Sequence, residues 1–264
     1  MLLGLNSPFI SASDTAKEKR WADQIIDGLI VGDAVWLEAD GNKFLGIYAE
    51  HDTDQAHGAV LLLHGSGVHP NWSDVIQPLR SELPSHGWAT LSVQLPILAN
   101  DAKHAEYAPL IKEVPARLDA AIKYLNAQKY HNVVIVAHSL GSTMANSYLA
   151  QKSDGVTAYA AIGMGVDMDG PKELNNIEYL KQISLPMLDL YGSQDLESVI
   201  DSVKKRRQAA RKAGNQNYRQ VEVAGANHFF VGLETELVRR VKSWLSKYSV
   251  NNLKSGDTMQ KKIN

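Results

Sequence analysis

The residue of this chain best placed to perform chemistry is a serine at a predicted strand-to-helix corner. Ser139 follows an apolar run, residues 133–136, and precedes a segment whose apolar residues recur at helical spacing. At such a corner the side chain stands clear of the sheet, and the following helix N-terminus offers free N–H groups to an anion. The pattern indicates a nucleophilic serine, and the alternative is a serine that only caps the helix.

An aspartate and a histidine further along the chain are candidate partners of this serine. A serine hydroxyl is a weak nucleophile that needs a base, and the base needs an acidic group to orient it. Asp195 and His228 each follow an apolar, strand-like run. Because carboxyl ends of parallel strands meet at one sheet edge, we expect both residues near Ser139. Asp189 lies inside a predicted strand, where a lone charge is costly to bury, so it needs a partner. It is either paired at the strand end or the alternative acid for the histidine.

A loop with two glycines is the candidate oxyanion loop. Gly65 and Gly67 follow an apolar run at residues 59–63, and glycine lets the backbone turn an N–H group toward a substrate oxygen. We predict that the N–H groups of Ser66 and Leu140 bind the oxyanion that forms during acyl transfer. The candidate pocket residues, for which hydrogen bonding within the loops is the alternative role, are His64, Gly65, Gly67, His138 and Gln94.

The order Ser…Asp…His and two longer phrases of sequence resemble the α/β-hydrolase superfamily. The phrases are LLHGSGVHP at residues 62–70 and GWATLSVQLP at residues 87–96. They are similar to those of a group of uncharacterised bacterial hydrolase-like proteins, and the likeness covers residues 34–248. The resemblance implies that Ser139 is the nucleophile, Asp195 the acid and His228 the base. It also implies that the loop after the third strand supplies half of an oxyanion hole.

The positions of the predicted helices and strands favour an α/β fold, doubly wound around a mostly parallel eight-stranded sheet with an antiparallel N-terminal hairpin. An amphipathic helix is expected over residues 14–29, and Asp40-Gly41 indicates a hairpin between strands at 34–39 and 43–50. Strands are expected at 59–63, 88–93, 133–137, 156–162, 186–191 and 218–223, with helices near 73–85, 107–128, 140–151, 171–182, 196–213 and 230–247. The interval between the strands near 162 and 186 is too short for a large cap domain.

The amino-acid composition bears on which binding partners and cofactors the chain could have. The chain has 264 residues, a net charge of −2 and 44% hydrophobic residues, which suits one α/β domain and gives no indication of nucleic-acid binding. The absence of cysteine excludes disulfides and a thiol nucleophile. No apolar run reaches the roughly 18 residues of a membrane span. His51, His57, His64 and His69 lack the paired helical spacing of zinc ligands, so no metal is expected.

The chain is divided into a leader at residues 1–13, a hydrolase domain at 14–248 and a polar tail at 249–264. The leader has two interpretations. It is either the remnant of a secretory signal, which would place the protein in the periplasm, or a simple leader of a cytoplasmic protein. The sequence leaves the oligomeric state undetermined.

These observations predict a serine hydrolase that cleaves an ester or related acyl bond of a small-molecule substrate, through a Ser-His-Asp triad and an acyl-enzyme, with no cofactor. A thioesterase or peptidase would use the same triad. The alternative from another class is a non-catalytic binding or accessory protein that keeps the fold, since a fold alone does not determine function.

Overall fold

An eight-stranded sheet forms the centre of the computed structural model, which describes residues 13–249. The strands lie in the order β1-β2-β4-β3-β5-β6-β7-β8. The β1–β2 and β2–β4 pairs are antiparallel, and all other pairs are parallel. This confirms the predicted mostly parallel sheet with its antiparallel hairpin. The strands are β1 (Asp33–Ala39), β2 (Asn42–Ala49), β3 (Gly58–Leu63), β4 (Trp88–Val93), β5 (Val133–His138), β6 (Val156–Ile162), β7 (Met187–Gln194) and β8 (Tyr218–Asn227).

Helices cover both faces of the sheet. The α-helices are α1 (Thr15–Ile26), α2 (Ile76–Glu82), α3 (Val114–Ala127), α4 (Leu140–Leu149), α5 (Asn176–Leu180), α6 (Glu197–Ile200), α7 (Val203–Lys212) and α8 (Glu234–Leu245). Leu61 and Leu63 pack in one core layer with α3 and α4, whereas Val60 and Leu62 pack in the other with α2 and α8. The central strands are continuous apolar runs because both of their faces are covered.

The N-terminal hairpin turns as the sequence predicts. Asp40 and Gly41 have φ values of 49° and 77°, the left-handed pair that a two-residue turn needs to match the twist of its strands. Helix α1 then packs on β2, where Ala22 and Ile25 meet Leu45 and Ile47. The outer end of the sheet is therefore covered by a helix that precedes the first strand.

Several predicted helices are shorter or divided, among them the one expected at 73–85, which is α2 followed by a 3₁₀ helix at Leu83–His86. The helix expected at 107–128 is a 3₁₀ helix at His104–Glu113 followed by α3, because Pro109 lacks the N–H group that a continuous α-helix would use. The helix expected at 196–213 is broken between α6 and α7, where Ser202 Oγ donates to the carbonyl oxygens of Ser198 and Val199. The helix expected at 171–182 is reduced to a 3₁₀ turn at Lys172–Leu174 and the short α5.

The predicted leader and tail lie outside the described residues, except for Ser13 and Ser249. Within residues 13–249, no helix combines the length and apolar character needed to cross a membrane.

Candidate active site

Ser139 occupies a strained corner between β5 and α4. Its φ and ψ are 53° and −123°, a conformation that costs energy for any residue with a Cβ. The corner is close-packed: a Cβ on Gly141 would lie 2.4 Å from the His64 carbonyl oxygen, and one on Gly65 would lie 3.2 Å from Ser139 Cβ. Small residues at these positions allow the strained turn that directs the serine side chain into the cavity described below.

A chain of hydrogen bonds joins the three residues that the sequence selected. His228 Nε2 lies 2.9 Å from Ser139 Oγ, and His228 Nδ1 lies 2.6 Å from Asp195 Oδ1. Because Asp195 can only accept, the Nδ1 atom carries the proton and Nε2 offers its lone pair to the serine hydroxyl. Hydrogen bonds in this order could let the histidine accept the serine proton while the carboxylate orients the ring.

Asp195 is held as a carboxylate. Its side chain is fully buried, and it accepts backbone N–H groups from Leu196 at 2.8 Å and Gly192 at 3.3 Å. Burial alone would raise the pKa of the Asp195 carboxyl, but the hydrogen bond from His228 and the two backbone donors hold that pKa below its ordinary value. A charged Asp195 at neutral pH can stabilise an imidazolium at His228.

Asp189, the alternative acid, has a different set of partners. It lies in β7 with no exposed surface and forms a salt bridge with the equally buried Arg206. The two side chains are joined by bonds of 2.8 Å from Nε and 3.2 Å from Nη2, and Tyr218 and Gln220 donate to the same carboxylate. Among residues 13–249, the side-chain hydrogen-bond partners of Asp189 lie on α7 and β8, and the carboxylate that contacts His228 is that of Asp195.

The two residues expected to supply the oxyanion donors line the same cavity as Ser139. Ser66 and Leu140 line one cavity together with Ser139 and His228. Within residues 13–249, neither the Ser66 N–H nor the Leu140 N–H donates to a protein acceptor. Two such N–H groups on residues of the cavity that holds the serine hydroxyl could bind a developing oxyanion.

The structure places only some of the predicted pocket residues at the cavity. Gly65 and His138 line the cavity, whereas His64, Gln94 and Gly67 do not. His64 and Gln94 are each 1% exposed, and they hydrogen-bond to one another behind the loop at 3.0 Å. A sequence motif fixes where a loop lies along the chain but not which way its side chains point, and here the two polar groups are turned inward.

His138 forms part of the cavity wall and supports the histidine. Its Nε2 lies 3.0 Å from the His228 carbonyl oxygen, and the two rings are 4.9 Å apart. Burial and the nearby His228 lower the pKa of His138 to about 4. It is therefore neutral at neutral pH and can donate from Nε2 to that carbonyl.

The cavity has a volume of about 680 Å³, the size of a pocket for a small molecule. Apolar side chains contribute much of its wall, and three of them, Met168, Leu196 and Phe229, are large and solvent-exposed. The charged side chains at the wall are two aspartates, Asp167 and Asp201, and one lysine, Lys205. The opening therefore combines exposed apolar surface with a slight excess of negative charge.

Several wall residues were not predicted from the sequence. Thr143, Val166 and Val199 come from three separate segments that the fold brings together. Gly163 had a usable signal, since it is the glycine that directly follows a predicted strand. Its φ is 58°, and a Cβ there would lie 3.0 Å from the His228 ring, so this position needs glycine to leave room for the histidine.

The sheet order, the covering helices and the serine corner together define an α/β-hydrolase fold. Solved structures agree at the level of fold. A dienelactone hydrolase from Anabaena variabilis is 22% identical over 83% of this chain and 98% of its own, with a TM-score of 0.64. An esterase from Pyrococcus furiosus is 17% identical over 83% and 93%, with a TM-score of 0.66. Est1E from Butyrivibrio proteoclasticus with ferulic acid bound is 16% identical over 81% and 99%, with a TM-score of 0.64.

A family model places the chain more closely. The family described as "Protein of unknown function (DUF3530)" matches residues 12–110 and 99–247, and the chain belongs to this family. Among curated proteins, none matches the chain in sequence.

Proposed function

We propose that this protein is a serine hydrolase that cleaves an ester or related acyl bond through an acyl-enzyme intermediate. The observation that carries the proposal is the unbroken hydrogen-bond chain from Ser139 through His228 to Asp195, with the serine held at a strained corner. The similarity of the fold to a dienelactone hydrolase and to esterases supports the same class of reaction.

The first half of the proposed reaction forms the acyl-enzyme. Ser139 Oγ attacks the acyl carbon while His228 Nε2 takes its proton, and Asp195 stabilises the imidazolium that results. The Ser66 and Leu140 N–H groups receive the oxyanion. His228 then returns the proton to the leaving oxygen as the acyl–oxygen bond breaks.

The second half of the reaction regenerates the enzyme. His228 removes a proton from a water molecule, which attacks the acyl carbon, and the proton then passes to Ser139 Oγ as the acid leaves. These steps use only groups of this chain, the substrate and water, so the proposal includes no cofactor.

The cavity favours a neutral, partly apolar substrate. Met168, Leu196 and Phe229 are the exposed apolar side chains of its wall, and apolar surface at a site of this kind indicates contact with an apolar ligand group. Asp167 and Asp201 outnumber Lys205, which disfavours a substrate that carries its own carboxylate.

Turnover of a panel of neutral p-nitrophenyl and thioester substrates tests the proposal. Ser139→Ala is expected to lose activity by about 10⁴-fold or more, the order of the loss when a triad nucleophile is removed. Ser147→Ala is the matched control, because Ser147 lies on α4, is buried, and donates only to the Met144 carbonyl oxygen. A folded wild-type protein without activity on any member of the panel would favour the binding-protein alternative.

A further inference from the structure

Helix α1 contacts the chain near the candidate oxyanion loop at two places, at Leu98 after β4 and at His69 after β3. Lys17 Nζ donates to the Leu98 carbonyl oxygen at 2.7 Å. The Trp21 ring lies 5.0 Å from the His69 ring, which in turn lies 5.4 Å from the ring of Trp72 in the cavity wall. A helix that precedes the first strand thus forms part of the support behind one side of the site.

A buried arginine links this helix to the end of β4. Arg117 on α3 donates to both carboxylate oxygens of Glu18 on α1, at 2.9 and 3.0 Å. The same guanidinium donates to the Gln94 carbonyl oxygen at 3.0 Å. The side chains of Arg117 and Glu18 are each 5% exposed, so the pair is fixed within the protein rather than formed in solvent.

Two peptide groups and one imidazole continue the chain of hydrogen bonds from the arginine. The peptide that carries the Gln94 carbonyl also carries the Leu95 N–H group, which donates to His64 Nε2 at 2.9 Å. Because Nε2 accepts, the proton of His64 is on Nδ1, and that N–H donates to the Gly65 carbonyl oxygen at 2.8 Å.

The last member of the chain is the Gly65–Ser66 peptide. In a planar trans peptide the C=O and N–H groups point in opposite directions. Once His64 holds the Gly65 carbonyl, the Ser66 N–H is directed away from His64. Every bond in the series donates in the same sense, so each one polarises the next. The positive charge of Arg117 therefore increases the donor strength of the Ser66 N–H.

We infer that Arg117, fixed by Glu18, and His64 are positioning residues of the oxyanion hole, and that through them helix α1 orients and polarises the Ser66 N–H. The inference rests on the proposed function, because it assigns no role without an oxyanion at that N–H. Burial lowers the pKa of His64 to about 3, so the neutral tautomer that the chain needs persists at neutral pH.

The first test compares two carboxylates on the same helix. Glu18→Gln removes the carboxylate that binds Arg117 at both oxygens and leaves Glu113, 3.9 Å from the guanidinium, as its remaining carboxylate partner. Asp23→Asn removes the same charge from an exposed pair with Lys19. Loss of a whole oxyanion donor lowers kcat by about 10²–10³-fold, so a misdirected donor is expected to lower it by about tenfold. The KM is expected to stay within about twofold, because the oxyanion exists only after the ground state. Asp23→Asn is expected to match wild type when rates are normalised to titrated active sites.

The second test asks whether Glu18 acts through His64. His64→Leu removes all three hydrogen bonds of the imidazole, and His64→Asn keeps an amide donor close to the position of Nδ1. His64→Asn is therefore expected to retain about tenfold more kcat than His64→Leu. If both residues act on the same N–H, Glu18→Gln is expected to lower kcat hardly any further in the His64→Leu background. Independent structural effects would instead give a double variant whose loss of kcat is the product of the two single losses.

Removal of one buried charge can prevent folding, so the double variant Glu18→Met/Arg117→Met provides a second route, because it removes both charges of the bidentate pair together. Adding Glu113→Gln to this variant removes the other carboxylate near Arg117, which lies 3.9 Å from the guanidinium and is 15% exposed. The double variant is expected to show the same loss of kcat with unchanged KM. An active wild type whose Glu18→Gln and double variants keep full kcat would refute this inference alone. Additive losses in the His64→Leu background would refute it as well. An inactive wild type would refute the proposed function and this inference with it.

Discussion

We expect two aspartates of the β7 segment, Asp189 and Asp195, to have separate roles, and a pair of matched substitutions distinguishes them. Asp189→Asn and Asp195→Asn make the same chemical change at positions six residues apart in number. Asp189 is paired with Arg206 in the core, whereas Asp195 accepts from His228 at the site. The first substitution is expected to lower stability with little effect on kcat, and the second to lower kcat with a smaller effect on stability.

The size of the stability effect follows from the environment of Asp189. Neither side chain of the Asp189–Arg206 pair is exposed, so the substitution leaves a buried guanidinium without its counter-charge. It also turns an amide donor toward some of the groups that donate to Asp189, which include Tyr218 and Gln220. Breaking a buried pair from one side costs about 3–5 kcal/mol. At about 2–4 °C per kcal/mol for a domain of this size, Tm should fall by roughly 6–20 °C.

The catalytic effect is expected only at Asp195. An asparagine there can donate to Nδ1 and would favour the tautomer whose Nε2 carries the proton, which cannot accept from Ser139. The comparable change in a Ser-His-Asp protease lowers kcat by about 10⁴-fold, and the same order is expected here. Thermal unfolding by circular dichroism measures the first effect, and ester turnover at saturating substrate measures the second. If Asp189→Asn lowered kcat as much as Asp195→Asn in a folded protein, the assignment of the acid would be wrong.

Three further predictions concern the geometry and charge of the site. Gly163→Ala is expected to lower kcat by about tenfold or more, because a Cβ would lie 3.0 Å from the His228 ring; Gly214→Ala is the matched control, with similar φ and nothing within 4 Å. Stability measured against pH should show the Asp195 contribution, obtained by subtracting the Asp195→Asn profile. Because the folded pKa of Asp195 is lowered from 3.8, this contribution should be complete above about pH 4 and lost as the pH falls through the folded pKa; a contribution that grows below pH 4 would contradict the assignment. Leu196→Ser should raise KM for long-chain esters by about fivefold and leave KM for acetate esters nearly unchanged, since Leu196 is a half-exposed apolar residue of the wall. Equal effects on both esters would show that the side chain does not contact the acyl group.

Much of the fold could be predicted because the sequence marks it locally. Residues 59–63 and 133–136 are short, unbroken apolar runs, which are typical of strands covered on both faces. Asp40-Gly41 is a pair of residues that favours a two-residue hairpin turn. The break between α6 and α7 could not be predicted because it coincides with hydrogen bonds of the Ser202 side chain that periodicity does not reveal. The division of the helix expected at 107–128 does have a signal in the sequence, which is Pro109.

Part of the candidate site could also be predicted from the sequence, and part could not. Ser139, Asp195 and His228 could be predicted to lie together because each follows a strand, and the carboxyl ends of parallel strands share one edge of the sheet. The inward orientation of His64 could not be predicted, because its partners Gln94 and Leu95 follow a different strand, β4. The Glu18–Arg117 pair joins residues 99 positions apart, and no local pattern in the sequence connects them.

Labelling with a fluorophosphonate probe shows whether Ser139 is an activated nucleophile, because the probe reacts only with a serine whose hydroxyl is activated by its surroundings. We expect one phosphonyl group per wild-type chain, located on Ser139 by peptide mass mapping, with no labelling of Ser139→Ala and full labelling of Ser147→Ala. A folded wild-type protein that remains unlabelled, or that carries the probe on another residue, would contradict this expectation.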